Sequence, residues 1–343
     1  MNPRALLNTL TTRCRTLPVV ILYVTEGCNL QCISCSYRTP PPGELTLEEI
    51  GSLARSLLRT GLRHVVYSGG EPLTRRDFPD ILPLFARGGV RQTLLTNGLM
   101  LEKRFAEIGP FIDEFIVSLD GAEAAVHDAI RGAASYERIV RGIRRLVDAG
   151  RGRDVALRTV VQKRNFRSLP AIVALARELG VGRISFLAAD VRSNGFGRDA
   201  RGPSAPAETM TLDAAEAREL HRIVEALERD SAALFAERFI DQSPARLHGI
   251  ASYYEALGGT APFPPVRCNA PMVSTVITSR GDLLPCYFLP PFGNVRQGAI
   301  GELLDADAPR AVRRRVRART QPECSTCVCT LHVGPARALA DRF

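Results

Sequence analysis

The stretch that decides the fold is Val24-Thr-Glu-Gly-Cys-Asn-Leu-Gln-Cys-Ile-Ser-Cys-Ser-Tyr-Arg38, in which Cys28, Cys32 and Cys35 lie within eight residues. Three residues separate the first two thiols, and two residues separate the next pair. A structural zinc site would usually have a fourth cysteine nearby, but none follows until Cys268. Three thiolates can instead hold three irons of a 4Fe–4S cluster and leave the fourth iron for an external ligand.

Composition limits the class of protein. A chain of 343 residues predicts about two domains. No apolar run approaches the roughly 20 residues that a membrane span needs, and the residues around Arg4 do not form a signal peptide, so we expect a cytoplasmic protein without a membrane partner. Nine cysteines in such a chain argue against a disulfide framework and favour metal or redox chemistry.

The net charge of +9 has two readings, an anionic partner or a general preference for arginine. The densest basic run is Arg310–Arg319, where Ala311, Val312 and Val316 recur at helical spacing. We predict a helix with a solvated basic face there. Nucleic acid is an unlikely partner, because no aromatic residues interleave with the arginines as a base-stacking surface requires.

Apolar, β-branched runs alternate with helical patterns along the first half of the chain. The sequence Thr46-Leu-Glu-Glu49 is an N-cap signature for the first of these helices. Such alternation predicts parallel strands joined by right-handed crossovers, and six units indicate a partial (β/α)6 TIM-type barrel of the α/β class. The six strands are predicted at residues 17–25, 62–68, 90–96, 114–119, 154–161 and 183–188.

We divide the chain into four parts: an N-terminal arm at 1–16, the barrel core at 17–190, a loop and helical linker at 191–261, and a small Cys-rich domain at 262–343. The Gly- and Pro-rich segment 191–207 is either a lid over the barrel mouth or a plain linker, and helix is predicted at 211–236 and 243–257. In the last part, 273–278 and 283–288 predict a β-hairpin, and 300–320 predicts a helix.

Four motifs, each directly after a predicted strand, resemble the radical S-adenosylmethionine (SAM) superfamily. Cys28-x3-Cys32-x2-Cys35 matches its cluster loop, and Gly69-Gly-Glu-Pro72 matches the motif that holds the methionine amino group. Thr96-Asn97-Gly98 and Ser118-Leu-Asp120-Gly121 follow in order, with His127-Asp-x-x-Arg131-Gly132 just behind. The resemblance covers roughly residues 17–190.

The resemblance implies a 4Fe–4S cluster whose unique iron is chelated by SAM. One-electron reduction of SAM then yields a 5′-deoxyadenosyl radical that abstracts hydrogen from a substrate carbon. The implied SAM-binding residues are Gly69, Gly70, Glu71, Pro72, Asn97, Ser118 and Asp120. Asn97-Gly98 and Asp120-Gly121 are also turn dipeptides in their own right, and His127 and Arg131 either order a helix entry or contact a ligand.

One position departs from the family pattern. The residue before the third cysteine is usually aromatic in the family, where it packs near adenine, but here it is Ser34. Either Tyr37 takes over the adenine contact, or the contact comes from the fifth and sixth strands, near Val160, Asn165 and Leu187.

The C-terminal cysteines carry a second resemblance. Cys268-x12-Gly281-x4-Cys286, followed by Cys324-x2-Cys327, is similar to SPASM and Twitch domains, which hold auxiliary 4Fe–4S clusters. A full SPASM domain needs seven cysteines, so the resemblance implies a Twitch-like domain with one auxiliary cluster on Cys268, Cys286, Cys324 and Cys327. Cys329 is surplus and could displace Cys327. A zinc ribbon is the alternative, and Cys14 is interpreted as an inert thiol.

A cluster with four cysteine ligands has no open position, so it suits electron transfer during substrate oxidation. We expect a natural-product metabolite such as a sugar or nucleoside as substrate, because the 27 residues before Cys28 hold no leader-binding domain. A ribosomal peptide is the alternative, and a non-catalytic metal scaffold is a remote one. The expected reductant is a flavodoxin or ferredoxin. Candidate substrate contacts are His248, Tyr253, Tyr254 and Arg267, and no general base can be named.

Overall fold

The structure, a computed structural model, describes residues 3–132, 134–198, 202–329, 331–334 and 336. The strands of these residues form one sheet in the order β6-β5-β4-β3-β2-β1-β7-β8-β9. Their bounds are β1 (Val19–Thr25), β2 (His64–Gly69), β3 (Arg91–Thr96), β4 (Glu114–Ser118), β5 (Val155–Val161), β6 (Arg183–Ala188), β7 (Ser274–Ile277), β8 (Asp282–Leu284) and β9 (Gly293–Asn294).

Strands β1 to β6 are parallel, and a helix follows each of the first five. This confirms the partial (β/α)6 barrel. The α-helices of the described residues are α1 (Pro3–Leu10), α2 (Leu47–Arg59), α3 (Phe78–Ala86), α4 (Leu101–Ile108), α5 (Ala124–Arg131), α6 (Tyr136–Leu146), α7 (Leu169–Glu178), α8 (Ala214–Asp230), α9 (Ala232–Ala236), α10 (Pro244–Leu257), α11 (Ala270–Val273), α12 (Ile300–Asp305) and α13 (Asp307–Ala318).

Local sequence explains how these elements begin. Thr46 caps α2 through a capping box with Glu49, as the sequence predicts. All seven residues of β1 are buried, because strands cover it on both edges and side chains cover both faces. Along β5, Leu157 and Val161 join the main apolar core, while Arg158 and Val160 alternate onto the other face and stay half-buried.

The C-terminal hairpin joins the barrel sheet, which the sequence did not indicate. Strand β7 pairs in parallel with β1, from Val19 opposite Ser274 to Leu22 opposite Ile277. The predicted hairpin is confirmed, but it is shorter than expected, with β7 and β8 antiparallel around the Thr278–Gly281 turn. Core and Cys-rich region therefore share one continuous sheet.

Two predicted helices are each broken into two. The 211–236 stretch separates into α8 and α9 at Ser231. The 300–320 stretch separates into α12 and α13 at Ala306, whose backbone is extended. Pro309 then lies in the first turn of α13, the place in a helix where its missing N–H costs nothing.

The basic run of α13 is solvated only in part. Arg314, Arg317 and Arg319 are exposed as predicted, but Arg313 is only 2% exposed. Its guanidinium donates to the carbonyls of Pro271 (3.0 Å) and Thr12 (2.8 Å) and also bonds the Leu304 carbonyl. The prediction of a fully solvated face is therefore wrong at Arg313, which ties α13 to the arm and to α11.

The N-terminal arm belongs with the C-terminal region. Asn8 donates its side-chain amide to the carbonyls of Met272 (3.0 Å) and Thr16 (2.5 Å). Ala5 packs with Val273 and Val316 in a small separate core. None of the helices in the described parts of the chain has the length and apolar character to cross a membrane.

We expect Arg313→Ala to lower the free energy of unfolding by about 2–4 kcal/mol, because it leaves buried carbonyls without a charged donor. Arg314→Ala, its exposed neighbour, is the matched control and should change stability by less than about 0.5 kcal/mol. Urea unfolding followed by circular dichroism measures both, and equal effects of the two substitutions would contradict the anchoring role of Arg313.

Candidate active site and auxiliary cluster site

The three-cysteine loop begins directly after β1 and is closed by its own backbone. The Cys28 amide donates to the Arg38 carbonyl at 2.7 Å, and the Cys35 amide donates to the Cys32 carbonyl at 3.3 Å. The Arg38 guanidinium also donates to the Cys32 carbonyl, at 3.2 Å. These bonds hold the three sulfur-bearing residues on one tight turn at the carboxyl end of the barrel strands.

The end of α5 supports this loop from the other side. The amides of Gln31 and Ile33 donate to the carbonyls of Arg131 (3.2 Å) and Ile130 (3.0 Å). Gly132 caps the helix with a left-handed φ of 77°, and a Cβ there would lie 2.4 Å from the Gln31 carbonyl oxygen. A glycine is therefore required both by the backbone angle and by the contact with the loop.

The thiols of the loop suit a metal cluster by chemistry. Burial raises the pKa of Cys28 to about 12 and that of Cys35 to about 11, so each needs a bound cation to become a thiolate near neutral pH. Arg131 Nη1 lies 3.8 Å from Cys32 Sγ, and the buried Nε of Arg131 has no partner among the described residues. A buried cation at this place favours negative charge on the sulfurs.

Within the described ranges, no three His, Cys, Asp or Glu side chains converge on one point as a single metal ion requires. Cluster ligands differ from zinc ligands in this respect, since each thiolate binds its own iron. The three thiols of one loop supply ligands for three irons of a 4Fe–4S cluster.

The Gly69-Gly-Glu-Pro72 turn packs against the start of the same loop. A Cβ on Gly69, whose φ is +115°, would lie 2.1 Å from the Thr25 carbonyl oxygen, and one on Gly70 would lie 2.1 Å from that of Gly27. The amides of Gly70 and Glu71 donate to those two carbonyls, each at 2.8 Å. Backbone packing therefore requires glycine at both positions, independently of any contact that their carbonyls make with a ligand.

Glu71 lies at the centre of a buried network. Its carboxylate accepts hydrogen bonds from the Leu73 amide (3.0 Å), the Thr96 hydroxyl (2.8 Å) and the Asn97 amide (2.7 Å). Burial raises its pKa to about 7. Asn97 in turn donates to Asn29 at 2.8 Å and lies 3.9 Å from Cys28 Sγ. The ends of β2 and β3 are thus tied to the cluster loop through Glu71 and Asn97.

Asp120 is engaged by the protein as well. Its carboxylate pairs with Arg131 Nη2 at 2.6 Å and accepts from the Val160 amide at 2.7 Å. The Asp120 amide donates to His127 Nδ1 at 3.2 Å, and burial lowers the pKa of that histidine to about 4. His127 is therefore a neutral acceptor that orders the helix entry, and Asp120 positions Arg131 beside Cys32. Ser118, half-buried at the end of β4, lies beside Arg158 of β5 in the sheet.

Tyr37 lies between the loop and the barrel interior. It is 7% exposed and packs edge-on against Tyr23, with ring centroids 6.0 Å apart. Asn165, the other predicted adenine contact of polar character, uses its amide inside the protein, donating to the carbonyls of Asp120 (2.9 Å) and Val160 (3.0 Å). Tyr37 and Tyr23 share one apolar cluster, against which Cys28 and Cys35 pack.

The five C-terminal cysteines come together. A small cavity of about 70 Å³ is lined by Cys268, Cys286, Cys324, Cys327 and Cys329. Burial raises the pKa of Cys286 to about 12 and that of Cys324 to about 11, so this donor set also needs a bound cation. It fits an iron–sulfur cluster with one thiol to spare. Cys14 lies apart, held by the Thr16 carbonyl.

The segment after β6 covers the cluster loop. The Ser36 amide donates to the Phe196 carbonyl at 2.9 Å, and its hydroxyl donates to the Gly202 carbonyl at 2.6 Å. Arg198, whose side chain is 9% exposed, pairs with Asp190 and anchors the segment at its base. Residues of the 191–207 segment thus pack on the cluster loop, and we refer to the segment as the lid; whether it opens and closes stays a prediction, and residues 199–201 lie outside the described parts.

A cavity of about 680 Å³ separates the two cysteine sites. Tyr23, Glu26 and Tyr37 line it on the side of the cluster loop, and Tyr287 and Cys327 line it on the side of the auxiliary site. The rings of Tyr23 and Tyr287 stack at 6.4 Å and so connect the two walls. The lid contributes residues 192–197.

The four substrate contacts expected from sequence do not lie in this cavity. Tyr254 is fully buried. Its hydroxyl donates to the Val161 carbonyl (2.5 Å) and accepts from the Ala189 amide (3.0 Å). His248 stacks on His221 between α8 and α10. Tyr253 and Arg267 line a separate cavity of about 530 Å³.

Sequence reasoning missed three residues that line the 680 Å³ cavity, namely Tyr23, Glu26 and Tyr287. Glu26 and Tyr287 lie close to cysteines in the sequence.

Comparison with known proteins agrees with this geometry. The family model described as the radical SAM superfamily matches residues 22–185, and the model of the SPASM iron–sulfur cluster-binding domain matches residues 268–328. The fold and site define an iron–sulfur enzyme of the α/β class. The chain thus contains a radical SAM domain and a C-terminal SPASM domain. Its cofactors are therefore a 4Fe–4S cluster, SAM and auxiliary iron–sulfur.

The curated relatives match just under half of the chain. The AdoMet-dependent heme synthase of Methanosarcina barkeri is 36% identical over 163 residues, which cover 46% of each chain. The mycofactocin maturase MftC of Mycobacterium tuberculosis is 33% identical over 161 residues, covering 46% of this chain and 41% of the maturase. The chain thus spans less than half the length of these relatives.

Solved structures match over nearly the whole chain. Streptococcus suis SuiB bound to S-adenosylmethionine superposes with a TM-score of 0.65 at 15% identity, covering 94% of this chain and 75% of SuiB. Native anSMEcpe with bound AdoMet gives 0.64 at 15% identity, covering 95% and 96%. Identity this low shows a shared fold.

Gly132→Ala should remove the iron of the cluster loop, because its Cβ would collide with the Gln31 carbonyl. Gly150→Ala is the matched control: its φ is +76°, but nothing lies within 4 Å of a Cβ there. Both substitutions carry about 1 kcal/mol of backbone strain. After anaerobic reconstitution, iron analysis should find about four fewer irons per chain in the first variant only. Equal iron in both would contradict the contact's role.

Proposed function

We propose that this chain is a radical SAM oxidoreductase that oxidises or remodels a metabolite held between its two cysteine sites. When bound, the cluster and SAM supply a 5′-deoxyadenosyl radical that takes a hydrogen atom from a substrate carbon. The single observation that carries the proposal is the 680 Å³ cavity, with the cluster loop on one wall and the auxiliary site on the other.

Different residues would bind the cluster and SAM. Cys28, Cys32 and Cys35 would hold the cluster, while Gly69–Pro72, Asn97, Ser118 and Asp120 would hold SAM, with Tyr37 beside adenine. Arg131, fixed by Asp120, would keep positive charge next to the sulfurs. The lid would exclude water from the cavity, which strengthens every electrostatic contact inside it.

The auxiliary site would hold one 4Fe–4S cluster on Cys268, Cys286, Cys324 and Cys327. Cys327 lines both the auxiliary cavity and the substrate cavity, so an electron leaving the substrate has a short path to the cluster. Cys329 lines the auxiliary cavity but not the substrate cavity. It is the thiol in excess.

A small metabolite such as a sugar or nucleoside fits this cavity, whose volume is in the usual range for small-molecule sites. Aromatic rings line it on both walls, and such rings bind the apolar faces of sugars and bases. Two relatives also have small-molecule names: the heme synthase, and the GTP 3′,8-cyclase of Marinobacter nauticus, which is 33% identical over 180 residues.

A ribosomal peptide is the second candidate substrate. MftC is a maturase by name, and SuiB, with a TM-score of 0.63 in its complex, has been solved bound to its precursor peptide SuiA. For either substrate we infer a flavodoxin or ferredoxin as reductant, and function in the cytoplasm.

Cys32→Ala and Cys286→Ala should separate the two sites. Under reducing, oxygen-free conditions Cys32→Ala should form no 5′-deoxyadenosine but retain about four irons per chain. Cys286→Ala should lose the auxiliary iron and still form 5′-deoxyadenosine. Iron and sulfide assays with chromatography measure both; unmodified protein should hold about eight of each, and zinc without sulfide would disprove the proposal.

The substrate class can be tested with the same assay. A substrate that reaches the cavity should accelerate formation of 5′-deoxyadenosine above the slow rate seen without substrate. Sets of deuterated sugars, nucleosides and precursor-like peptides are compared, and deuterium in 5′-deoxyadenosine identifies the class. Transfer of deuterium from peptides alone would replace the first candidate by the second.

A further inference from the structure

One surface of the molecule combines exposed apolar side chains with exposed arginines. Among the described residues, the large apolar side chains most open to solvent are Leu7 (39%), Leu10 (51%) and Leu331 (37%). Leu7 and Leu10 share one face of α1, since they lie three residues apart in a helix. Leu331 follows the last cysteine and accepts the Asn269 amide at 2.8 Å.

Leu10 lines a groove of about 600 Å³ that reaches the auxiliary site. His332, next to Leu331 in the chain, lines it too, together with the apolar side chains of Val266 and Val316 and with Cys268 and Cys324 of the auxiliary site. The substrate cavity instead contacts the auxiliary site through Cys327. The auxiliary cluster site thus lies between two openings, one for substrate and one that the catalytic scheme leaves unused.

The rim of the groove is basic. Arg267, Arg317 and Arg319 line it and are exposed. None of the three forms an ion pair with a carboxylate in the described part of the chain, although the Arg317 guanidinium donates to the Leu10 carbonyl. An apolar centre with a charged rim is the usual anatomy of a protein–protein interface, and unpaired surface charge of one sign steers a partner of the opposite sign.

We propose that this surface docks an acidic one-electron carrier of the flavodoxin or ferredoxin class, which exchanges electrons with the auxiliary cluster. This rests on the proposed function, because it requires a cluster on Cys268 and Cys324. The oxidised carrier accepts the single electron that a substrate radical has delivered to the cluster. No atom is transferred, and the same contact carries an electron from the reduced carrier to the cluster.

Charge and position both select this partner. Flavodoxins and ferredoxins of the acidic type present carboxylates around their cofactor, which match the arginine rim. Docking in the groove places the carrier directly over two cluster ligands, so the electron need not cross the substrate cavity. Nucleic acid would match the charge but not the leucines, and the groove offers no aromatic platform for bases beyond Phe263.

The test measures reduction of the reconstituted enzyme by a photoreduced recombinant flavodoxin in an anaerobic stopped-flow instrument, following cluster absorbance. Arg317→Glu/Arg319→Glu should lower the second-order rate constant at least tenfold, within the usual range for electrostatic steering. Arg138→Glu/Arg144→Glu, a charge-matched control on exposed positions of α6, should leave it unchanged. Added salt should lower the rate constant of reduction for the unmodified enzyme and leave that of the Arg317→Glu/Arg319→Glu variant unchanged.

Two controls keep the outcomes distinct. Iron content and reduction by titanium(III) citrate should be equal in all variants, which separates loss of docking from loss of a cluster. If the arginine variant loses iron, Leu10→Glu supplies the same test from α1. Equal slowing by both charge pairs, or no slowing by the groove variants, would overturn the docking site, whereas absence of auxiliary iron in the unmodified protein would overturn the proposed function instead.

Discussion

The pairing of β1 with β7 sets the distance between the two cysteine sites. The cluster loop leaves the carboxyl end of β1, and the hairpin that carries Cys286 continues from β7, which lies beside β1 in parallel register. Neighbouring strands lie about 5 Å apart, so the pairing keeps the auxiliary site close to the cluster loop. The cavity of about 680 Å³ is lined by Tyr23 of β1 and by Thr278 and Leu284 of the hairpin that follows β7.

Residues of the cofactor motifs also have a structural role. Gly69 and Gly70 permit the close approach of β2 to the loop, and Glu71 joins the ends of β2 and β3 by three hydrogen bonds. Asp120 likewise fixes Arg131 against the loop. A buried carboxylate with its partners in place costs little, whereas removal of one partner costs much. These side chains therefore shape the site before any ligand binds.

Local patterns predicted most of the barrel, and tertiary contacts explain what they could not predict. The six strands, the Thr46 cap and the position of each motif after a strand follow from periodicity and capping, which are short-range properties. The pairing of β7 with β1 joins residues about 250 positions apart, and no short-range pattern encodes it. Arg313 looks like its exposed neighbours in sequence, and only the carbonyls that surround it explain its burial. Tyr254 was misplaced for the same reason, since its partners lie on other elements.

The order in which the chain is made gives the β1–β7 contact a further consequence. When β1 leaves the ribosome, its partner β7 is still about 250 residues from being made, and a contact of that separation is slow to form because loop closure is costly. Until then β1 is an edge strand with free backbone groups, of the kind that other chains can pair with. The Cys-rich domain thus acts as the late cover of this edge, and truncation before β7 would leave a complete barrel pattern with an aggregation-prone side.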